Sequence, residues 1–549
     1  MANKWWQETV VYQIYPRSFM DSGGDGIGDL KGVTQRLEYL HELGVGAIWM
    51  NPICDSPNDD NGYDIRDYTR IMREYGSMDD FDALVEKAHA LGIRVVMDMV
   101  INHTSDEHAW FVESRGGKDS PKHDFYIWRD GTGSGPPNNW GSFFSPSAWK
   151  YDEQRGQYYL HLFSEKQPDL NWESPALRGE IYDMMNWWRQ KGVDGFRLDA
   201  INAIKKPKGL PDSKEKPTYA LGTTLDPALY MNNPGLEGFF REMNRRVFSK
   251  GDMLTVGECS QTTPAHAAKY ASLKGDMLSM LIHFDAVSLR DKWSVKAMRK
   301  VQQRWYDDTW GIAWAAQYLS NHDQPRQVSI YGDDGKYHQA SAKLLATMLH
   351  TLPGTPFVYQ GEELGMTNIR MRRVNDYQDI SAHNDYHRMR GTGHSRRKAM
   401  AWLNRYGRDN ARTPMQWDNT ANAGFTTGAP WLKVNPNYQR INAAQQIGDP
   451  DSVFNYYRKL IALRKQHSVM IYGDYADISP GQKNVYMYTR SDDTQTWMVV
   501  LNFSGKRTVV RVASDIDLSR VVLTNDAKAA HTAGRIVCPP WYAAIFKVR

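Results

Sequence analysis

Short apolar runs recur along the chain, each followed by a longer stretch whose apolar residues fall at helical spacing. Thr9-Val10-Val11-Tyr12-Gln13-Ile14, Ala47-Ile48-Trp49-Met50 and Arg94-Val95-Val96-Met97-Asp98-Met99-Val100 read as strands, with helices near Val33 to Leu43 and Phe81 to Leu91. A helix near Leu177 to Gln190 leads into Asp194-Gly195-Phe196-Arg197-Leu198-Asp199. Four further runs follow: Leu254-Thr255-Val256-Gly257, Met280-Leu281-Ile282-His283-Phe284, Gln317-Tyr318-Leu319-Ser320 and Pro356-Phe357-Val358-Tyr359-Gln360. Alternating strands and helices imply a parallel sheet. Eight such units predict an α/β fold, a closed (β/α)8 TIM barrel, whose functional residues collect at the C-terminal ends of its strands.

Two regions break this rhythm. Residues 104–170 are rich in Gly, Pro, Ser, Trp and Asn, as in Gly133-Ser134-Gly135-Pro136-Pro137-Asn138-Asn139-Trp140, and read as an irregular domain inserted after the third strand. From residue 478 onward short strand patterns such as Val485-Tyr486-Met487-Tyr488 recur without helices, predicting a C-terminal antiparallel β-sandwich. The expected organisation is a barrel in two parts, 1–103 and 171–477, with an insert at 104–170 and a sandwich at 478–549.

The predicted strand ends carry polar residues. Arg197 and Asp199 are two apart on one strand, so both side chains point to the same side. A neighbouring guanidinium favours the ionised form of a carboxylate, and an ionised carboxylate at a strand end suits a nucleophile. An ordinary structural ion pair fits this stretch equally well. Asp98 with Asn102-His103, Glu258, and Asn321-His322-Asp323 stand at three other strand ends. In a closed barrel Asp199, Glu258 and Asp323 converge on one cavity. Acid-assisted acetal cleavage needs such a set: one carboxylate to attack and one protonated to release the leaving oxygen.

Composition narrows the partners. Among 549 residues, 67 Lys and Arg stand against 63 Asp and Glu, a net charge of +4 that gives no reason to expect nucleic acid. Nineteen Trp and thirty Tyr supply flat apolar faces that suit sugar rings as well as a core. Cys54, Cys259 and Cys538 are far apart and in no metal-ligand spacing, which argues against a disulfide framework or structural zinc. The start, Met1-Ala2-Asn3-Lys4-Trp5-Trp6, lacks a signal pattern, and no apolar run reaches the roughly 18–20 residues that span a bilayer. A cytoplasmic monomer that acts on a small-molecule oligosaccharide, with no membrane partner, is the expectation.

Longer motifs carry a resemblance. Val10-Val11-Tyr12-Gln13-Ile14-Tyr15-Pro16-Arg17-Ser18-Phe19, Ser56-Pro57-Asn58-Asp59-Asp60-Asn61-Gly62-Tyr63-Asp64-Ile65, Asn321-His322-Asp323-Gln324-Pro325-Arg326 and Arg408-Asp409-Asn410-Ala411-Arg412-Thr413-Pro414-Met415-Gln416-Trp417 resemble glycoside hydrolase family 13, the α-amylase family. Within it the chain is most similar to the oligo-1,6-glucosidase group of α-glucosidases. That resemblance implies a retaining hydrolase of short α-glucosides that works from the non-reducing end. Asp199 would be the nucleophile, Glu258 the acid and base, and Asp323 the stabiliser of the transition state. It further implies Asp60 and Tyr63 at the terminal glucose, His103, Arg197, His322 and Arg408 on the same ring, and Phe163 and Gln167 in the pocket wall. Catalysis would need no cofactor.

The Gly-rich loop Asp21-Ser22-Gly23-Gly24-Asp25-Gly26-Ile27-Gly28-Asp29 has the alternating acids that suit a hard cation. It resembles the group's calcium loop, which implies a structural Ca2+ on Asp21, Asp25, the Ile27 carbonyl and Asp29, although Gly23 stands where Asn is frequent. The α-1,6-cleaving members usually carry Val after the nucleophile, and this chain has Ala200. α-1,6 hydrolysis is the first expectation. α-1,4-Glucosidase, trehalose-6-phosphate hydrolase, and transglucosylase or sucrose isomerase activities on the same scaffold remain alternatives. Val256 to Thr263 and Tyr331 to His338 resemble the trehalose-6-phosphate hydrolases. Leu289-Arg290-Asp291-Lys292-Trp293 matches the Arg-Leu-Asp-Arg-Asp motif of sucrose isomerases only weakly.

Overall fold

A computed structural model describes residues 4–133, 135–219, 221–479, 481–514, 516–532 and 534–549, so Met1 to Asn3 and Ser134 of the motifs above lie outside the described residues. Eight strands form one sheet: β1 (Val11–Ile14), β2 (Ala47–Met50), β3 (Arg94–Val100), β4 (Gly195–Asp199), β5 (Leu254–Cys259), β6 (Met280–His283), β7 (Ala316–Gln317) and β8 (Thr355–Tyr359). Their order is β6-β5-β4-β3-β2-β1-β8-β7, and every neighbouring pair is parallel. A parallel bridge between Leu281 and Ala315 joins the two edges and closes the barrel. The strands are buried almost throughout, as expected where helices cover the outside.

The helices form where the sequence caps them. Met78–Ala90 starts at Ser77, whose hydroxyl accepts from the Asp80 N–H while Asp80 accepts from the Ser77 N–H. Pro175–Gln190 starts with Ser174 as cap and Pro175 in the first turn, and buries Leu177, Ile181, Met184, Met185 and Trp188 along one face. The expected single helix from Val33 to Leu43 is two helices, Leu30–Gln35 and Leu37–Leu43, because Arg36 leaves helical geometry at φ −103, ψ 7. The seventh expected strand was placed too late. Only Ala316–Gln317 pairs, and the next residues turn away toward the site.

Between β3 and β4 lies a three-stranded antiparallel sheet of Trp128–Arg129, Gln157–Leu160 and Trp149–Asp152. Bridges from His103 to Asp169 and from Tyr126 to Leu170 tie its base to the barrel. A bridge from Trp140 to Thr224 ties it to the chain after β4. Beyond the barrel, Asp474–Asp477, Val485–Ser491, Thr496–Asn502, Ala543–Lys547 and Val521–Thr524 form an antiparallel sheet. Thr508–Arg511, Arg535–Cys538 and Ala530–Thr532 form a second sheet, and Met487, Met498, Val510, Ile536 and Phe546 share one core with it. This sandwich begins at Asp474, four residues ahead of the expected 478.

Candidate active site

β4 places the first charges. Gly195 sits against β5 so closely that a Cβ would meet the Leu254 carbonyl at 2.4 Å. Arg197 then lies level with Asp98 of β3 and Val256 of β5. Its guanidinium is fully buried and reaches carboxylates on three strands. Nη1 donates to Asp98 at 2.9 Å and to Asp199 at 2.8 Å, and Nη2 meets Glu258 at 2.8 Å. Asp98 is the anchor of this group. It accepts from Tyr63 Oη at 2.9 Å and from the Trp49 indole at 3.3 Å.

Ala200, the residue after Asp199, has φ 41 and ψ 34 in the left-handed region. That turn aims its N–H at Glu258 Oε2, 3.1 Å away. The backbone after the nucleophile candidate therefore holds the acid candidate.

Asp323 receives Arg412 Nη2 at 2.7 Å and Arg408 Nη1 at 3.2 Å on one oxygen, and stands 3.3 Å from His322 Nε2 on the other. Gln13 Nε2, an amide donor, lies 2.8 Å from His322 Nδ1, so that nitrogen accepts and Nε2 carries the hydrogen. Tyr63 Oη, 2.7 Å from Nε2, accepts from it and from Asn51 at 2.6 Å, and gives its own proton to Asp98. Tyr63 also stacks on the His322 ring, with centroids 5.3 Å apart.

Burial and charge separate the titratable groups. Burial pushes Asp199 up to about 7 against the pull of Arg197, with the Asp98 charge adding to the rise. Burial lifts Glu258 to about 7 against Arg197, and the charges of Asp199 and Asp323 push the same way. These two carboxylates share one guanidinium, so they titrate as a pair holding one proton near neutrality. For Asp323, burial is outweighed by His322, Arg408 and Arg412, which hold it well below the usual carboxylate range. Burial drives His322 down to about 3, so it is neutral, and lowers His103 as well.

A cavity of about 200 Å³ opens on this group. This is below the roughly 300–1,000 Å³ of pockets that enclose drug-sized ligands, and the enclosed part suits one sugar unit. The three carboxylates Asp199, Glu258 and Asp323 face it, as do Asp60, Tyr63, His103, Phe163 and Arg408. Gln167, Arg197 and His322 stand behind that wall. Gln167 Nε2 donates to Asp60 at 3.2 Å. The loop that presents Asp60 is fixed by buried Asp64, which accepts the N–H groups of Asp59 at 2.9 Å and Asp60 at 3.1 Å. A larger groove of about 760 Å³ lies at the opposite end of the barrel around Trp6, Trp310 and Trp314, but Asp252 is the sole carboxylate on its wall among the described residues.

Several contributors were not singled out from sequence. Asp379 grips one edge of Arg408 with both oxygens, Nε donating at 2.9 Å and Nη2 beside it, and sets the cation between Asp323 and Asp60. Nothing in the pattern marks Asp379, which lies far from the strand ends. Arg412 follows Arg408 by four residues, a spacing that signals a shared face. Phe143, Phe144, Asn202, Met231 and Phe284 complete the wall from loops whose course periodicity does not reveal.

The Gly-rich loop stands apart from the cavity. Asp21 accepts the N–H groups of Gly23, Gly24 and Gly26 at 2.7–2.8 Å, and Asp29 accepts from Ser22 and caps the following helix through Gly32 N–H. A Cβ on Gly23 would lie 3.7 Å from Asp21 Oδ1 and 3.9 Å from Asp29 Oδ2, so both oxygens flank one gap. Asp25 is exposed and accepts from Ile27 N–H at 2.9 Å. Among the described residues no three His, Cys, Asp or Glu side chains come together as a metal-ligand group. Of the expected ligands, the Asp21 and Asp29 carboxylates flank this gap while accepting from donors of their own loop, and Asp25 is turned aside.

A closed parallel barrel with paired carboxylates at its strand ends, followed by a β-sandwich, defines a glycoside hydrolase architecture. The description "Alpha amylase, catalytic domain" matches residues 13–473, and the chain belongs to the alpha-amylase family. It is 49% identical over 564 residues to an oligo-1,6-glucosidase of Parageobacillus thermoglucosidasius, covering 100% of both chains. It is 45% identical over 509 residues to the trehalose-6-phosphate hydrolase of Escherichia coli, covering 91% of each. The solved isomaltulose synthase of Erwinia rhapontici superposes with a TM-score of 0.94 at 41% identity, covering 100% of this chain and 99% of that one. No helix among the described residues is long and apolar enough to cross a membrane.

Proposed function

We propose that the protein is a retaining α-glucosidase that removes terminal glucose from short α-linked oligosaccharides, with α-1,6 bonds as the preferred linkage. The observation that carries this is the Arg197 fork, whose two terminal nitrogens hold Asp199 and Glu258 at 2.8 Å each. Carboxylates bound side by side on one guanidinium favour the spacing of about 5–5.5 Å used for retention over the wider one that leaves room for a water. Asp199 attacks the anomeric carbon as Glu258 gives its proton to the departing oxygen. Glu258 then takes a proton from water, which cleaves the glucosyl ester and restores the configuration. Asp323, kept ionised by Arg408 and Arg412, faces the cationic ring of the transition state. Asp60 and Arg408 close the pocket around the terminal sugar, which supports attack from the non-reducing end.

Ala200 supports a second reading. It lines the cavity with less bulk than the Val frequent in α-1,6-cleaving relatives, which favours α-1,4 or α-1,1 bonds, or a sugar acceptor in place of water. Chain placement in the cytoplasm is supported by three buried free cysteines, and Ca2+ in the 21–29 loop by the Asp21–Asp29 gap. One rate panel over isomaltose, panose, maltose, sucrose, trehalose and trehalose 6-phosphate tests the assignment. Isomaltose should be cleaved fastest, with free glucose released. Equal or faster cleavage of maltose overturns the linkage, new disaccharides overturn hydrolysis, and full activity in Asp199→Asn overturns the mechanism.

A further inference from the structure

One buried amide ties together three loops at the cavity. Asn202 lies in the turn Ile201–Ala203 that follows Asp199, is fully buried and belongs to the cavity wall. Its Nδ2 donates to the carbonyl of Ser260 at 2.6 Å and to Asn232 Oδ1 at 3.1 Å. Ser260 is the second residue past Glu258, Asn232 follows Met231, and both Ser260 and Met231 face the cavity. The Asn232 N–H in turn donates to the Asn202 carbonyl at 2.9 Å, and Asn232 Nδ2 donates to the Gln261 carbonyl at 3.0 Å.

The polarity of this knot has one solution. The Gln261 carbonyl can only accept, so it fixes the Asn232 amide with its oxygen toward Asn202. That oxygen and the Ser260 carbonyl then hold the Asn202 NH2 group between them, and a reversed Asn202 would set oxygen against both. Asn202 Oδ1 is left buried without a donor among the described residues, which lowers stability. The knot also needs left-handed backbone at two residues that carry side chains, Asn232 at φ 58 and Gln261 at φ 54. An ordinary packing knot at the foot of three loops requires neither feature. Strain of this kind gathers where a fold gives up stability to hold a site.

What the knot holds follows from the chemistry. Asp60 and Arg408 close around the terminal sugar, and Glu258 must stand at the oxygen that departs from it. Wall residues beside Glu258 therefore border the departing sugar. Ala200, whose N–H meets Glu258, is one of these, and Ser260, two residues along the same strand end, is another. Met231 joins them through the Asn232–Asn202 pairing.

We propose that Asn202 is a positioning residue for the departing sugar: its amide seats Ser260 and Met231 as the aglycone side of the cavity, separately from the residues that grip the terminal glucose. This rests on the α-glucosidase reading and adds the residue that builds the aglycone side of that site.

The test compares kcat/KM on the disaccharide the parent cleaves fastest with kcat/KM on α-glucosyl fluoride. The fluoride delivers the same glucosyl unit to Asp199 but has no departing sugar. Asn202→Leu keeps the size and neutrality of the side chain and removes both donors. The ratio of disaccharide to fluoride should fall about 10-fold or more in this variant, as expected for the loss of two neutral hydrogen bonds. Asn232→Gly keeps the left-handed turn and removes the acceptor, so it should lower the same ratio and tests the knot even where Asn202→Leu fails to fold. The alkaline limb of the disaccharide profile should stay where it is in the parent, because Glu258 keeps both Arg197 and the Ala200 N–H. Equal losses on the two substrates, or an unchanged ratio in a folded variant, overturn the positioning role and leave the α-glucosidase reading standing. A lower ratio with a shifted alkaline limb assigns the effect to Glu258 and overturns the role as well. A parent that cleaves no α-glucoside overturns both readings.

Discussion

Glu258→Gln should stabilise the protein in alkaline solution while sharply lowering turnover. Burial raises the folded-state pKa of Glu258 from an ordinary 4.5 to about 7, opposed by Arg197 and aided by Asp199 and Asp323. Below about pH 4.5 the carboxyl is protonated in folded and unfolded chains alike, and burial carries no penalty. Above that point the unfolded chain ionises first and gains free energy, until the folded group also ionises near pH 7. At about 1.4 kcal/mol per pH unit the penalty reaches roughly 3 kcal/mol at pH 8.5 and stays under about 1 kcal/mol at pH 5. Glutamine removes it but satisfies only one of the two donors, Arg197 Nη2 and the Ala200 N–H. That loss is the same at both pH values and cancels in their difference. With an unfolding entropy of about 2.1 cal/mol/K per residue over 549 residues, the advantage of the variant in Tm should grow by about 2 °C between pH 5 and pH 8.5. Scanning calorimetry of both proteins at the two pH values measures this. A gain of equal size at both, or a variant less stable at pH 8.5 than at pH 5 relative to the parent, would refute the account of Glu258 as a carboxyl held protonated by burial. Loss of the acid should cost about 10²–10⁴-fold in kcat on unactivated glucosides.

The profile of kcat/KM against pH should be bell-shaped, with an alkaline limb near pH 7 where the Asp199–Glu258 pair, both members raised to about 7, loses its last proton; a rate that keeps rising to pH 9 contradicts this. Asp379→Asn should loosen Arg408, its doubly bonded partner, and raise KM about 10-fold with a smaller change in kcat; steady-state kinetics on the preferred disaccharide decides it. Chelation followed by Ca2+ addition should lower and then restore Tm if the 21–29 loop holds the ion, and an unchanged Tm removes that assignment. Ala200→Val should raise the ratio of isomaltose to maltose cleavage while lowering stability by about 1–2 kcal/mol, because a β-branched side chain tolerates φ 41 poorly; an unchanged ratio would clear this position of linkage control.

The barrel was legible because its signal is periodic. Each strand is a short buried run, mostly apolar, and the side-chain alternation that puts Arg197 and Asp199 on one side follows from the strand repeat alone. The register between strands is a different matter. That Asp98 lies level with Arg197 depends on how β3 slides against β4, and no local pattern states it. Asp379 was still less accessible, since it acts through Arg408 from a segment that only the folded chain brings near it, whereas Arg412 lies four residues beyond Arg408 and bonds Asp323 directly. The brief β7 was misplaced because Tyr318 and Leu319 are as apolar as a strand, although they are buried by tertiary packing and do not pair.

The position after the nucleophile candidate shows why a substitution read from sequence can carry two meanings. Ala200 looked like a question of bulk, with a smaller side chain and a wider cavity. In the folded chain its backbone matters as much. The left-handed turn at φ 41 is what directs its N–H at Glu258, and that hydrogen bond favours the ionised carboxylate and so works against the proton an acid must keep. Alanine enters that conformation at lower cost than valine. The same residue can thus widen the aglycone side and relax the turn that sets Glu258. A change of linkage caused by bulk should leave the pH profile unmoved, whereas one caused by the turn should shift its alkaline limb together with the linkage ratio.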